Sequence, residues 1–281
     1  MRSWLASVAL LWIACSGERA PAASERLRVI ALAPSLVALV QAVGAGELLV
    51  GIDEFSRRAP GNERWPSVGG LYGPDLERTL ELEPTLVLAV SSAAHQSFLD
   101  RLRERGVRVE EFEVYTLDEV LASFARVGEL VGRGAQGRAL ADRVRGELAG
   151  IARSVAALPR PRAALVLERD PLYVAGGGAF THALLEVAGA ENAFADLAEP
   201  YPRVSLESLA DRAPDLVIDT SIGGDDADTW WGRWPWVRRA VALEREAVTL
   251  PGPDLAAGAR ALVEVVHPGR LAAARGAPAS R

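Results

Sequence analysis

The chain contains no lysine: all 31 basic residues are arginine, against 37 acidic ones, for a formal charge of −6. Arginine used so uniformly reflects composition, so a single arginine is a poor functional marker, and the acidic balance argues against a nucleic-acid partner. Cysteine is nearly absent. The one thiol, Cys15, has nothing to pair with, which excludes a disulfide framework. Histidine is scarce too. His95, His182 and His267 lie far apart, without H-x-x-H, H-E-x-x-H or C-x-x-C spacing, so no metal site is visible. A nucleophile elbow of the G-x-S-x-G type is also missing. Catalysis has little to work with, so no catalytic residue, metal or cofactor is assigned and a binding protein is expected in place of an enzyme. What the chain does have is 49% hydrophobic and 24% charged residues, a globular balance.

The apolar run Trp4 to Ala14, flanked by Arg2 and by Cys15, Ser16 and Gly17, is too short for a mature membrane helix but has the form of an export signal. Two ends fit it, lipid attachment at Cys15 or cleavage after Ala22. A signal peptide over 1–23 is expected, and with it a periplasmic or extracytoplasmic protein, lipid-anchored if Cys15 is acylated.

From residue 27 short β-branched runs alternate with helical periods. Leu27–Leu32, Leu48–Ile52, Leu86–Val90 and Val107–Phe112 read as strands, with helices at Leu36–Val43, Leu76–Leu82 and His95–Arg105 between them. Thr116-Leu117-Asp118-Glu119 is a capping-box pattern opening another helix. Leu140, Val144, Leu148, Ile151, Val155 and Leu158 then step along one face of a helix over Ala135–Ala157, about 35 Å long, stopped by Pro159 and Pro161. Beyond it the alternation resumes: strands Ala163–Glu168, Leu216–Thr220 and Ala247–Leu250, helices Thr181–Val187, Leu206–Arg212 and Leu255–Val266. The fold class is therefore α/β: two lobes, each a parallel sheet covered by helices, joined by a single long helix with the cleft between them. The expected domains are 24–133, a connecting helix over 134–158, a second lobe over 159–271 and a disordered tail at 272–281.

The halves echo each other. Asp75-Leu76-Glu77 runs to Pro84-Thr85-Leu86-Val87 as Ser205-Leu206-Glu207 runs to Pro214-Asp215-Leu216-Val217. Val43-Gly44-Ala45 is matched by Ala188-Gly189-Ala190, and together these landmarks indicate an internal duplication. Glu77 and Glu207 thus occupy equivalent first helical turns. A carboxylate there complements the helix dipole. A matched pair, one per lobe, also suits docking to a two-fold-symmetric basic partner. Phe55, Trp65, Tyr72, Tyr173 and Tyr201 fall in loops at strand ends, where they suit a large flat ligand. Gly176-Gly177-Gly178 offers backbone N–H groups to an anion but lacks the rest of a phosphate loop. The cluster Trp230, Trp231, Trp234 and Trp236 reads either as a packing patch or as one wall of the site.

These residues resemble the periplasmic substrate-binding proteins whose two α/β lobes share one long helix, and within that class the vitamin B12-binding members. The resemblance rests on Arg28-Val29-Ile30-Ala31-Leu32-Ala33-Pro34-Ser35, on Val68-Gly69-Gly70 leading to Asp75-Leu76-Glu77, and on Leu185-Glu186-Val187-Ala188-Gly189-Ala190-Glu191-Asn192. It continues through Tyr201-Pro202-Arg203-Val204-Ser205-Leu206-Glu207 and Ala213-Pro214-Asp215-Leu216-Val217-Ile218, spanning about residues 27–271. It implies a monomeric binding component of an ABC importer with a cobalamin or other corrinoid as cargo, or a ferric siderophore or haem in its place. The alternative is an exported metal-dependent enzyme on a similar bilobal fold, with a site built across the cleft from residues such as His95, His182 and Glu168. The resemblance also implies that Glu77 and Glu207 engage arginines of the permease, and that Phe55, Tyr173 and Tyr201 lie against the ligand. Leu71 stands where the family has a cleft Trp, with Tyr72 beside it; Asp254 only loosely matches the family's aspartate, and Arg260 is left to match its arginine.

Overall fold

The computed structural model describes residues 26–70, 73–221 and 226–270. The export signal expected over 1–23, with Cys15, the tail at 272–281, and Leu71 and Tyr72 lie outside the described residues. No described helix is long and apolar enough to cross a membrane.

In the first lobe, β1 (Val29–Ala31) sits centrally between β2 (Leu49–Ile52) and β5 (Leu86–Val90), and β6 (Arg108–Phe112) extends the sheet beyond β5. All three pairings are parallel. In the second lobe, β7 (Arg162–Arg169) and β10 (Leu216–Asp219) are central, with β11 (Ala240–Ala242) and β9 (Glu191–Asn192) parallel on either side. Strand for strand, β9-β7-β10-β11 repeats β2-β1-β5-β6. The duplication extends to backbone dihedrals. Gly44 and Gly189 both take positive φ, 75° and 79°, where a helix ends, and Glu83 and Ala213, each before its proline, take 43° and 45°. The two lobes were built by the same local code. The short antiparallel strand β8 (Leu172–Val174), hairpinned onto β7, and a two-stranded ribbon of β3 (Gly69–Gly70) and β4 (Gly73–Pro74) are additions the sequence pattern did not announce.

Side chains alternate across each strand, as the pleat requires. Val29 and Ala31, Leu86 and Leu88, Ala163 and Leu165, and Leu216 and Ile218 face one continuous core; Ile30, Val87 and Ala89 face a separate cluster on the outer side of the first sheet, and Ala164, Val166 and Val217 one on the outer side of the second. The continuous core runs through α6 (Gly134–Val155), whose buried stripe Leu140, Val144, Leu148, Ile151 and Val155 is the face expected from the sequence. A 22-residue helix spans about 33 Å. It ends at Val155 rather than Ala157 because the chain tightens into a turn, Leu158 N–H donating to the Val155 carbonyl at 2.9 Å. Against it lies α5 (Leu117–Leu130), opened by the expected capping box: Glu119 N–H donates to Thr116 Oγ1 at 3.3 Å while Thr116 N–H donates to the Glu119 carboxylate at 2.8 Å. Gly128 and Gly137 let the two helices touch at backbone distance; a Cβ on Gly137 would run into the Phe124 carbonyl.

One expected strand is corrected. Ala247–Leu250 is not extended: α10 (Arg245–Thr249) is helical there, and the parallel edge strand comes earlier, at β11, paired Val217 to Ala240. The β-branched Val248 and Thr249 suggested a strand, yet Val248 is buried from a helical turn, because Gly258 on α11 (Leu255–Val266) has no side chain to keep the Ala247 carbonyl away. Gly176 and Gly177 are no anion cradle either: their N–H groups donate to the Pro200 and Leu197 carbonyls at 2.9 and 2.7 Å.

At the end of α11, His267 is only 9% exposed, against Gly189. Burial, with Arg270 adding to it, pushes its pKa below the usual histidine value. A depressed histidine pKa means the folded state holds the neutral ring, so the stabilisation is complete above the unfolded value near 6.5 and is lost as pH falls through the folded pKa. Thermal melts between pH 7.5 and 4.5 are expected to show a steeper loss of Tm below about pH 6.5 for the parent chain than for His267→Gln. Parallel curves would contradict this assignment.

Candidate functional site: the interlobe cleft

A parallel sheet presents its ligand at the C-terminal ends of its strands. In the first lobe β1 leads into α1 (Pro34–Ala42) and β2 into α2 (Glu54–Arg57), where Asp53 caps the helix by accepting from Ser56 N–H at 2.8 Å and so sets Phe55 on the surface. In the second lobe β7 ends at Glu168 and Arg169, and β8 brings Tyr173 back beside them. Among the described residues, the exposed large hydrophobics are Phe55 (49%), Tyr115 (42%) and Tyr173 (37%). Two of these are aromatics singled out from the sequence. Tyr115 was missed: it precedes the capping box of α5, and its carbonyl accepts from the N–H of Phe180 at the start of α7 (Phe180–Val187), joining the first lobe to the second.

Two cavities flank α10. One, of about 430 Å³, is lined by Leu167, Glu168, Tyr173, Tyr201, Arg245 and Thr249. The other, of about 340 Å³, spans the lobes, with Pro34, Ser35 and Ala38 of the first facing Glu244, Glu246, Leu250 and Asp254 of the second. Tyr173 and Tyr201 line the first of these cavities and Asp254 the second, while Phe55, on the first lobe, lines neither. Burial pushes the Tyr201 phenol up to about 12, so it acts as a neutral hydroxyl at any physiological pH. Arg245 was not foreseen as a site residue, because an arginine in so arginine-rich a chain gives no signal. Its Nη1 donates to the Leu167 carbonyl at 2.8 Å and lies 4.0 Å from Glu168 Oε2. Arg260, the sequence match for a cleft arginine, is instead tied to Glu147 on α6 at 3.1 Å.

Other candidates resolve into structure. Trp65 is buried in the continuous core with the Arg64 guanidinium 4.0 Å over its ring. Trp231, in α9 (Ala227–Trp231), is fully buried, its indole N–H donating to Asp219 at 2.6 Å, and Trp230, Trp234 and Trp236 pack onto the outer side of the second sheet. The tryptophan cluster is thus packing for the second lobe. The three histidines do not converge: His95 precedes α4 (Gln96–Glu104), His182 on α7 lies 3.4 Å from Asn192 of β9, and none lines either cavity. Among the described residues no group of three or more His, Cys, Asp and Glu side chains could hold a metal ion.

Glu77 and Glu207 are both exposed, in the first turns of α3 (Leu76–Glu81) and α8 (Leu206–Asp211). Asp75 and Ser205 cap these helices in the same way, accepting from Arg78 and Ser208 N–H at 3.1 Å each. The duplicated caps give the two carboxylates equivalent settings, one per lobe.

The two-lobed architecture and its cleft define a solute receptor, and the chain belongs to the periplasmic binding protein family, whose model matches residues 29–228. It is a binding protein of the ABC-importer type, which places it outside the cytoplasm with a permease as its partner. It is 28% identical over 207 residues to a vitamin B12-binding protein of Vibrio parahaemolyticus, covering 74% of this chain and 75% of that one. The periplasmic vitamin B12-binding protein of Vibrio cholerae superposes with a TM-score of 0.73 at 22% identity, covering 89% of this chain and 98% of that structure. A periplasmic haem-binding protein of Pseudomonas aeruginosa superposes equally well, 0.73 at 27% identity over 86% and 92%.

Proposed function

We propose that this protein captures a corrinoid, cobalamin foremost, between its lobes and delivers it as a monomer to the permease of an ABC importer. The observation that carries the reading is an exposed aromatic in each lobe: Phe55 in α2, just after β2 of the first, and Tyr173 on β8 of the second, where it lines the cavity of about 430 Å³ beside α10. Exposed aromatic faces on both sides of a cleft suit a flat, partly apolar macrocycle held by stacking and edge contacts. Phe55, Leu71, Tyr72, Tyr173, Tyr201 and Asp254 would contact the ligand. Glu77 and Glu207 would dock onto permease arginines. Export by the N-terminal signal, ending either in lipid attachment at Cys15 or in cleavage after Ala22, belongs to the same reading.

Haem is the competing cargo, favoured by the two phenols, Tyr173 and Tyr201, that share one cavity, since phenolate oxygen ligates ferric haem. Against it stand the absence of histidine from the lining of either cavity and the burial that keeps the Tyr201 proton in place.

Calorimetric titration of the signal-less chain with cyanocobalamin, haem and a ferric siderophore tests the reading. Saturable one-to-one corrinoid binding is expected. Haem or siderophore binding alone would discard the vitamin and keep the transport role. Tyr173→Ala is expected to weaken cyanocobalamin binding by about 10- to 100-fold, the range for losing an aromatic anchor, without lowering Tm, since the side chain is 37% exposed. Unchanged affinity in that variant would remove Tyr173 from the site.

A further inference from the structure

Resting on the corrin reading above, we propose that the Glu168–Arg245 pair makes the cleft selective by charge, admitting macrocycles rimmed with neutral carboxamides and turning away those rimmed with carboxylates. Arg245 is the one basic side chain among the described residues lining the two cavities. A ligand carboxylate would need its guanidinium fork open and its charge unopposed. Neither holds. One nitrogen is committed to the Leu167 carbonyl at 2.8 Å, and Glu168 offsets the charge from 4.0 Å. On the other side of the same short helix, Glu244, Glu246 and Asp254 line the second cavity with no cation among its lining residues. The cleft walls therefore present four carboxylates to one guanidinium.

A carboxamide rim suits such walls. Its N–H groups donate to carboxylates, and its carbonyls accept from Arg245 and from the hydroxyls of Tyr173, Tyr201 and Thr249. Glu168 and Arg245 have side chains 39% and 35% exposed, so both reach solvent and an entering ligand. Solvent also screens them: a carboxylate at this exposure is expected to weaken a nearby ligand carboxylate by about 10-fold, far less than a dry site would.

The test uses two closely related corrins, cobinamide, whose rim carries carboxamides, and cobyrinic acid, whose rim carries carboxylates, titrated at pH 7.5 and low salt. The parent chain is expected to prefer cobinamide by about 100-fold or more. Glu168→Gln is expected to narrow that preference by about 10-fold through tighter cobyrinic acid binding, with cobinamide affinity nearly unchanged. Arg245→Gln is expected to move it the opposite way, and melts of both variants check that the lobe is folded. Equal affinity of the parent chain for the two corrins overturns the inference and leaves the corrin reading standing, as does a preference that Glu168→Gln does not alter. Failure of both corrins to bind overturns the reading and the inference together.

Discussion

Replacing Glu77 and Glu207 together with Arg is expected to abolish ligand uptake in vesicles carrying the cognate importer while cyanocobalamin affinity in solution stays within about twofold. Each carboxylate is exposed in the first turn of a capped helix, and the two helices occupy duplicated positions in the two lobes. Neither residue lines either of the two cavities beside α10. The dipole of a six-residue helix gains at most about 0.3–1 kcal/mol from such a residue, so the fold tolerates the change. A charge pair across an interface is worth more: coupling energies of about 1.5–7 kcal/mol correspond to losses of at least tenfold per site, and reversal turns attraction into repulsion at both. Single replacements are expected to fall between parent and double variant. Full uptake by the double variant would contradict the docking role, and lost solution affinity would move these residues into the ligand site.

Asp219→Ala carries the largest expected loss of stability. Its carboxylate is buried at the end of β10 and accepts from Arg169 Nε at 2.7 Å, Trp231 Nε1 at 2.6 Å, and the Ser221 N–H and hydroxyl at 2.9 and 2.7 Å. Removing it takes one carboxylate from the Arg169 guanidinium, whose side chain is 12% exposed and which also pairs with Asp226, and leaves the buried Trp231 N–H without its acceptor. Breaking a buried pair from one side costs about 3–5 kcal/mol, which for a chain of this size lowers Tm by about 6–20 °C. Asp219→Asn is expected to lose less, because its side-chain oxygen still accepts. A change under about 1 kcal/mol for the alanine variant would mean the node contributes little to holding α9 on the sheet.

The lobes, the connecting helix and the duplication were legible because they rest on repeated local signals. Leu140 to Val155 step at helical spacing, Asp75 and Ser205 cap helices in step, and Gly44 and Gly189 end them. The edge strand β11 was misplaced because a three-residue strand carries almost no periodicity, while the tertiary fit of Val248 beneath Gly258 overrode the β-branched composition of α10. Of the candidate site, Phe55 and Tyr173 were legible as aromatics near strand ends, though both were expected in loops and lie in α2 and β8. Apart from Asp254, its charged residues were not. Glu168 and Arg245 lie 77 positions apart in the chain and meet only because β7 and α10 reach one end of one sheet. Tyr115, next to an ordinary capping box, gave no sign that it would stand exposed where the lobes join. Sequence alone also could not separate Trp231, a buried donor to Asp219, from a cleft wall.

The claim that both lobes close on one flat ligand is tested most directly by hydrogen exchange, read by mass spectrometry with and without saturating cyanocobalamin. Protection is expected in the segment around Phe55 of the first lobe and in the segments around Glu168–Tyr173, Tyr201 and Arg245–Thr249 of the second, with none at Trp234–Val237 on the outer side. Protection confined to one lobe, or none at saturation, would contradict capture between the lobes.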